Sequence, residues 1–327
     1  MRPVRALGLC SGGLDSILSA LVLKQQGIGV AWITFITPFF SADKARQAAR
    51  QTGIALTVQD ITETYLNMLR NPRAGYGQHM NPCMDCHTLM FRLAGQVMEA
   101  EGFDFLFSGE VLGQRPMSQT RPSLRYVEKH SGLDGHILRP LSAKRLPETL
   151  PEQRGLVDRR RLLDFTGRGR KAQIRLAAEF GIKTYPAPAG GCLLTDKNYS
   201  RRLRDLLAQE AQPAVRALHL LRYGRHFRVD PGTKIIIGRN SEENQTILEY
   251  VDPQVDTTFK VVDFPGPLAL LSEGASGPGR QLAAALCAGY SKAPAEHPVK
   301  VSVQSPQGQS ALTVFPIPPE ELHHLLV

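Results

Sequence analysis

The chain has 327 residues, 42% of them apolar, which suits about two packed domains and excludes a disordered polymer. No run of about 18 apolar residues occurs, so a transmembrane helix is excluded, and the N-terminus enters a strand too soon to hold a secretory leader. A cytoplasmic protein without membrane attachment is expected, and its formal charge of +9 points to a polyanionic partner.

Val4, Ala6, Leu7 and Leu9 read as a first β-strand. Ile17, Leu18, Ala20, Leu21 and Leu23 recur at helical spacing towards a stop near Gly27. Between them stands Ser11-Gly12-Gly13-Leu14-Asp15-Ser16. A Ser/Gly-rich turn from strand to helix points successive N–H groups into one concavity at the positive end of the helix dipole, which makes an anion site. No Lys-Ser or Lys-Thr pair follows, as a Walker loop needs, and the three spaced glycines of a dinucleotide fingerprint are missing. The plain alternative is a turn with a Ser cap.

Residues 28–35 read as a second strand, Ser41 as the cap of a polar helix running to Gly53, and residues 54–58 as a third strand. A less regular stretch with Asn71-Pro72 and Asn81-Pro82 leads to Cys83; residues 88–101 read as a helix and residues 103–107 as a buried strand. This order predicts an α/β fold, a mainly parallel sheet with helices on both faces, and a ligand at the carboxyl ends of the strands. Arg154, Arg159, Arg160, Arg161, Arg168, Arg170, Lys171 and Arg175 form a basic stretch suited to phosphate contact. Pro186, Pro188, Gly190 and Gly191 then end the α/β pattern. After a charged helix at 198–210 the texture changes to short strands at 233–237, 259–262 and 268–270, and a hairpin turns at Pro306-Gln307-Gly308. The division expected is a first domain over 1–200 and a smaller α+β domain over 201–327.

Of five cysteines, Cys10 and Cys287 read as small buried residues, and none is expected in a structural disulfide. Cys83 and Cys86 form a C-x-x-C. A thioredoxin-like role would place that pair at a helix N-terminus, which the preceding Pro82 fits poorly. Cys192 follows Gly190 and Gly191, whose freedom permits a tight backbone path near a ligand. Three thiolates without a fourth suit three irons of a [4Fe–4S] cluster with one iron open. Zinc would need His79 or His87 as fourth ligand. Metal-free persulfide chemistry is the third option.

The 11–16 segment resembles the pyrophosphate-loop (PP-loop) signature of ATP pyrophosphatases. Together with Asn81-Pro82-Cys83-Met84-Asp85-Cys86, the 108–120 stretch (Gly109, Gly113, Gln114, Ser118, Gln119, Thr120) and Arg139-Pro140-Leu141, it resembles the tRNA thiouridine synthetases of that class. The resemblance implies a tRNA sulfurtransferase using ATP and Mg2+, with Ser11, Gly12, Gly13, Leu14, Asp15, Ser16, Gly109 and Gln114 at the nucleotide. Asp15 would organise the loop or the metal ion. It implies Cys86 as the catalytic thiol and Cys192 as a second reactive one. Cys83, where 2-thiouridylases often carry Asp, points to the cluster-dependent branch, with Cys83, Cys86 and Cys192 as ligands. Arg115 and Arg139 are further positioning candidates. The 108–120 stretch favours 4-thiouridine over 2-thiouridine as product. A sulfur donor, sulfide or a persulfide carrier protein, is implied, and a homodimer is a candidate assembly.

From Thr233 to Pro267 the chain is similar to the NFACT-R type of RNA-binding domain. There Arg222, Arg225, Arg228, Lys234 and Arg239 are candidate phosphate contacts, and Tyr223 and Phe227 candidate stacking platforms. Two other classes stand beside this reading: a PP-loop enzyme adenylating a small molecule, and a non-catalytic RNA-binding protein.

Overall fold

The computed structural model describes residues 2–187, 192–272 and 277–327, so Gly190 and Gly191 lie outside the described residues. The chain divides into two compact units, one up to Thr195 and one from Asp196 onward.

The first unit runs β1 (Arg5–Leu9), α1 (Leu14–Lys24), β2 (Gly29–Ile36), α2 (Asp43–Thr52), β3 (Leu56–Asp60), α3 (Thr62–Arg70), α4 (Cys83–Glu101), β4 (Phe105–Ser108), α5 (Arg121–Ser131), β5 (Ile137–Leu138), α6 (Leu150–Gln153) and α7 (Lys171–Glu179). All five strands are parallel, in the order β3-β2-β1-β4-β5. Right-handed crossovers place α1 and α2 on one face and α3, α4 and α5 on the other. Accordingly α1 packs on α7, and α4 on α5. Ala6, Trp32, Phe105 and Phe107 are buried in the sheet, against Leu14, Ile17, Leu18 and Leu23 of α1. The strand order reverses between β1 and β4. A crevice opens at such a point, beyond the carboxyl ends of the two strands.

Two local expectations shift. The residue before α2 is Ala42; Ser41 lies one earlier, and its hydroxyl donates to the Asp43 carboxylate at 2.7 Å. Helix α4 starts at Cys83, five residues before the sequence pattern predicts, so the C-x-x-C does occupy a helix N-terminus. Pro82 sits at the cap, where no N–H is required, and its carbonyl accepts from Cys86 N–H at 2.8 Å. Asp85 fixes this turn: its carboxylate accepts from Ala74 N–H at 2.7 Å and from Tyr126 Oη at 3.1 Å.

The second unit comprises α8 (Lys197–Gln209), α9 (Val215–Leu220), β6 (Arg225–Asp230), β7 (Thr233–Ile237), α10 (Ser241–Glu249), β8 (Thr257–Val261), β9 (Leu268–Leu271), α11 (Gly277–Gly289), β10 (Val299–Ser305) and β11 (Gly308–Val314). Its six strands form an antiparallel sheet in the order β11-β10-β8-β9-β7-β6. Val299, Val301 and Val303 alternate inward as a half-buried strand requires, and meet Ala284, Leu286 and Ala288 of α11. Pro306 and Gln307 join β10 to β11. Among the described residues no helix is long and apolar enough to cross a membrane.

Candidate active site

The 11–16 loop leaves the end of β1 at the crevice. Gly12 has φ +72°, and a Cβ there would lie 2.1 Å from the backbone carbon of Lys44, so glycine is required. Gly13 caps α1 without any side-chain hydrogen bond. The Ser16 hydroxyl donates to Gly13 O at 2.8 Å, and Gly13 N–H meets Ser11 Oγ at 3.4 Å. The first N–H groups of α1 have no intrahelical acceptor, which with the helix dipole makes this end of the helix suited to an anion. Leu14, expected at the nucleotide, points its side chain into the core at 1% exposure; only its N–H can serve.

The end of β4 closes the other side. A Cβ on Gly109 would stand 2.5 Å from Asp15 C and Ser16 N, so the two backbones meet with no room for a side chain. Gln114 Nε2 donates to Asp15 Oδ2 at 3.0 Å. Burial pushes the Asp15 carboxyl above the usual range, outweighing Gln114 and the nearby Arg170, Gln173 and Arg115. Asp15 Oδ1 and Gln114 Oε1 are buried with no hydrogen-bond partner in the protein. Orphaned oxygens beside an anion-binding loop fit a phosphate carrying a hydrated Mg2+. The Ser118-Gln119-Thr120 segment supports this arrangement from outside it. Thr120 caps α5 by accepting Ser123 N–H at 3.2 Å, and Gly113 N–H reaches Gln119 O at 2.7 Å.

Cys83 and Cys86 stand on the first turn of α4, and Cys192 precedes a short helical turn, Leu193–Thr195. Asn81 Nδ2 donates to Cys83 Sγ at 3.3 Å. Burial, then the charge of Cys192, pushes the Cys86 thiol far up, and the Cys83 charge adds to it, so the three sulfurs share one neighbourhood. Cys192 is itself raised, by burial first. Fully buried Tyr65 lies beside them. Three soft thiols suit iron in donor type. As arranged they do not close a cage: among the described residues no group of three or more His, Cys, Asp or Glu is set to hold a metal ion. Cys10 and Cys287 are buried, with thiols pushed up to about 11 and about 12, each by burial first.

Next to Cys86, His87 Nδ1 meets Glu110 Oε1 at 2.8 Å, and Glu110 Oε2 accepts from Ser108 Oγ at 3.1 Å and Arg139 Nε at 2.9 Å. Burial alone would raise the Glu110 carboxyl, but Arg139 and His87 outweigh it and hold it at about 2. Arg139 was expected at nucleotide or substrate; it is instead a buried strut between Glu110 and Glu128. Tyr65 and Glu110 had no role in the sequence reading, and His87, weighed there only as a fourth zinc ligand, pairs with Glu110. No local pattern marks them, since their partners come from other elements.

In the second unit, Phe227 is fully buried in the core and cannot stack on a base. Lys234 and Arg228 both pair with Asp205, at 3.8 and 2.9 Å, and Arg239 pairs with Glu243. Arg225 lies over the Tyr290 ring. Lys234 and Arg228 are thereby turned inward on Asp205, a correction to the phosphate-contact expectation for these two. Tyr223 stacks on Tyr250, and Tyr250 on His219, all half-buried.

Residues 3–145 match the family of the thiamine biosynthesis protein ThiI, and residues 224–326 match the NFACT protein RNA-binding domain. The first unit is thus similar to the ThiI family over residues 3–145, and the second to the NFACT RNA-binding domain over residues 224–326. A tRNA-specific 2-thiouridylase of Desulforamulus reducens is 24% identical to it over 239 residues, 65% of this chain and 60% of the relative. A probable tRNA sulfurtransferase of Ureaplasma parvum is 30% identical over 146 residues, 42% of this chain and 37% of the relative. A solved 4-thiouridine synthetase in complex with RNA and bound ATP shares 25% identity over 43% of this chain and 37% of its own, with a TM-score of 0.34. The chain spans 60% and 37% of the lengths of these two curated relatives.

Proposed function

We propose that this protein is an ATP-dependent tRNA sulfurtransferase that converts a uridine carbonyl, at position 4 of the ring, into a thiocarbonyl. The observation that carries the reading is one unit holding both an anion-binding PP-loop and three neighbouring thiols. The relatives' named activities, a tRNA 2-thiouridylase and a probable tRNA sulfurtransferase, support tRNA thiolation as the reaction class. The base oxygen attacks the α-phosphorus of ATP; the bond from that phosphorus to the bridging oxygen breaks, and pyrophosphate leaves with the electron pair. Backbone N–H groups of Ser11, Gly12, Gly13 and Leu14 stabilise the charge that develops on the phosphates. Asp15, held by Gln114, positions Mg2+. A sulfur nucleophile then adds to the activated carbon, the C–O bond breaks, and AMP departs.

Cys83, Cys86 and Cys192 deliver that sulfur. As ligands of a [4Fe–4S] cluster they would leave one iron open to bind hydrosulfide. As bare thiols, Cys86 would take the outer sulfur of a persulfide carrier protein, and that sulfur would attack the base. The Cys192 thiolate would cleave the resulting S–S bond, freeing the thiocarbonyl and leaving a Cys86–Cys192 disulfide for a cellular dithiol to reduce. We assign activation to residues 1–200 and the grip on tRNA to residues 201–327, in a cytoplasmic homodimer fed by sulfide or a persulfide carrier protein. The test is tRNA-dependent ATP/pyrophosphate exchange, paired with nucleoside analysis of tRNA from a deletion strain. Loss of 4-thiouridine is expected. Loss of 2-thiouridine instead would correct the ring position, and unchanged thionucleosides with no exchange would overturn the activity.

A further inference from the structure

Lys234 and Arg228 face Asp205, so a polyanion held by the second unit must meet its counter-charge elsewhere on that unit. Arg280 stands near the start of α11, three residues before Ala283, four before Ala284 and seven before Cys287. All three are fully buried against the sheet, so this spacing sets an arginine on the core-facing stripe of the helix. Arg280 is half-buried, and among the described residues no ion pair or hydrogen bond engages its side chain. Charges withdrawn from water are ordinarily paired.

Arg280 lines a cavity of about 190 Å3 where α11 begins. The other walls are Thr257 at the start of β8, Leu271 at the end of β9, Ser272 just beyond it, and Pro306 and Gln307 in the β10–β11 turn. Pro306 and Gln307 are exposed, so the cavity opens to solvent beside that turn. Thr257 shares its face of β8 with Phe259 and Val261, which pack on α11. It is only 7% exposed, yet among the described residues its hydroxyl makes no hydrogen bond. Valine has the same shape and strand preference with no hydroxyl to leave unpaired, so packing alone does not account for a threonine there.

The polar groups around the cavity can all donate: the guanidinium of Arg280, the hydroxyls of Thr257 and Ser272, and the amide of Gln307. None of these residues is acidic, and the positive end of the α11 dipole adds to the same side. At roughly 30 Å3 for each water in the liquid, the cavity has room for one phosphoryl group and a few waters.

We infer that Arg280, Thr257 and Ser272 form a pocket for one phosphate group, and that this phosphate belongs to the backbone of bound RNA. The second half rests on the reading of this unit as the grip on tRNA, since the match to an RNA-binding domain over residues 224–326 includes every residue named. The pocket itself stands on its own geometry.

Filter binding of tRNA to the full chain at several salt concentrations tests it. Arg280→Met, which keeps an unbranched side chain of good helix propensity, should weaken binding about tenfold. It should also lower the slope of log affinity against log salt by about 1. A merely structural arginine would lower the melting temperature and leave that slope alone. Arg280→Lys should keep the slope and recover part of the affinity. Thr257→Val should cost about fivefold with the slope unchanged. In a parallel arm, inorganic phosphate is titrated against the Arg280 side-chain N–H resonance of the 15N-labelled chain. Phosphate should move it in the wild type, and less in Thr257→Val. Wild-type tRNA affinity and slope in Arg280→Met, with phosphate still moving the resonance in the wild type, overturn RNA as the bearer of the phosphate. A resonance that phosphate leaves in place, with an unchanged slope in Arg280→Met, overturns the pocket. Wild-type protein that binds no tRNA overturns the reading of the unit, and the phosphate arm then decides the pocket alone.

Discussion

Gly109→Ala places one methyl group where β4 closes on the PP-loop. The new Cβ would stand 2.5 Å from Asp15 C, 2.5 Å from Ser16 N and 2.7 Å from Asp15 O, whereas ordinary contact begins at 3.4 Å. About 0.9 Å must therefore open between two backbone segments, and neither can rotate aside as a side chain would. The loop cannot retreat freely, because Leu14, Ile17 and Leu18 anchor the start of α1 in the core. Overpacking of this kind costs about 1–3 kcal/mol, a fall of roughly 5 °C in melting temperature for a unit of this size. Function should suffer more than stability, since a displacement near 1 Å at a reacting site costs on the order of 100-fold in rate. Scanning calorimetry and ATP/pyrophosphate exchange measure the two effects on the same preparation. Exchange at the wild-type rate in a variant with a lowered melting temperature would refute the placement of the nucleotide between these strands.

Asp15→Asn should stabilise the ligand-free protein near neutral pH while abolishing exchange. The native carboxyl is raised in the folded state, so its contribution to stability is lost as pH climbs through that raised value; an unchanged melting temperature at pH 7 would count against this. Glu110 has the opposite sign. Held at about 2 against an ordinary 4.5, it contributes stability that is full above about pH 4.5 and lost as pH falls towards 2. Glu110→Gln should cost about 3–5 kcal/mol at neutral pH by leaving Arg139 buried and poorly paired, and urea unfolding across that pH window should show a flattened acid limb. Serine at Cys83, Cys86 or Cys192 should each end thiolation and spare exchange. Protein purified without oxygen should carry about four irons per chain, absent from Cys83→Ser, and an iron-free wild-type protein with full activity would sink the cluster. Lys234→Met should leave tRNA affinity in a filter-binding assay unchanged, because the ammonium faces Asp205 rather than solvent; a several-fold loss would restore Lys234 to the RNA surface.

The PP-loop was legible because its determinants are local. Apolar residues on either side set strand and helix, and Gly12 is needed within the very turn it makes. The start of α4 was not, because Cys83-Met84-Asp85-Cys86 shows no apolar periodicity. That turn is held by Asp85 reaching Ala74 and Tyr126, neither of them a sequence neighbour. Phe227 and the arginines of the second unit misled for a related reason. Residue type alone does not say which side of a strand faces the core, nor that Asp205 will stand opposite Lys234 and Arg228.

By itself, then, the sequence determined a parallel α/β unit with an anion-binding turn, a set of three thiols and a separate β-rich unit. Those follow from periodicity, turn chemistry and spacing, which act over a few residues at a time. Only the tertiary structure decided that Gln114 meets Asp15 across 99 residues, that Arg139 is a strut rather than a hand on the substrate, and that Gln173 lies buried beside Asp15. The physical reason is that charge state, burial and hydrogen-bond satisfaction belong to neighbourhoods in space. The sheet assembles those neighbourhoods from segments that are remote along the chain.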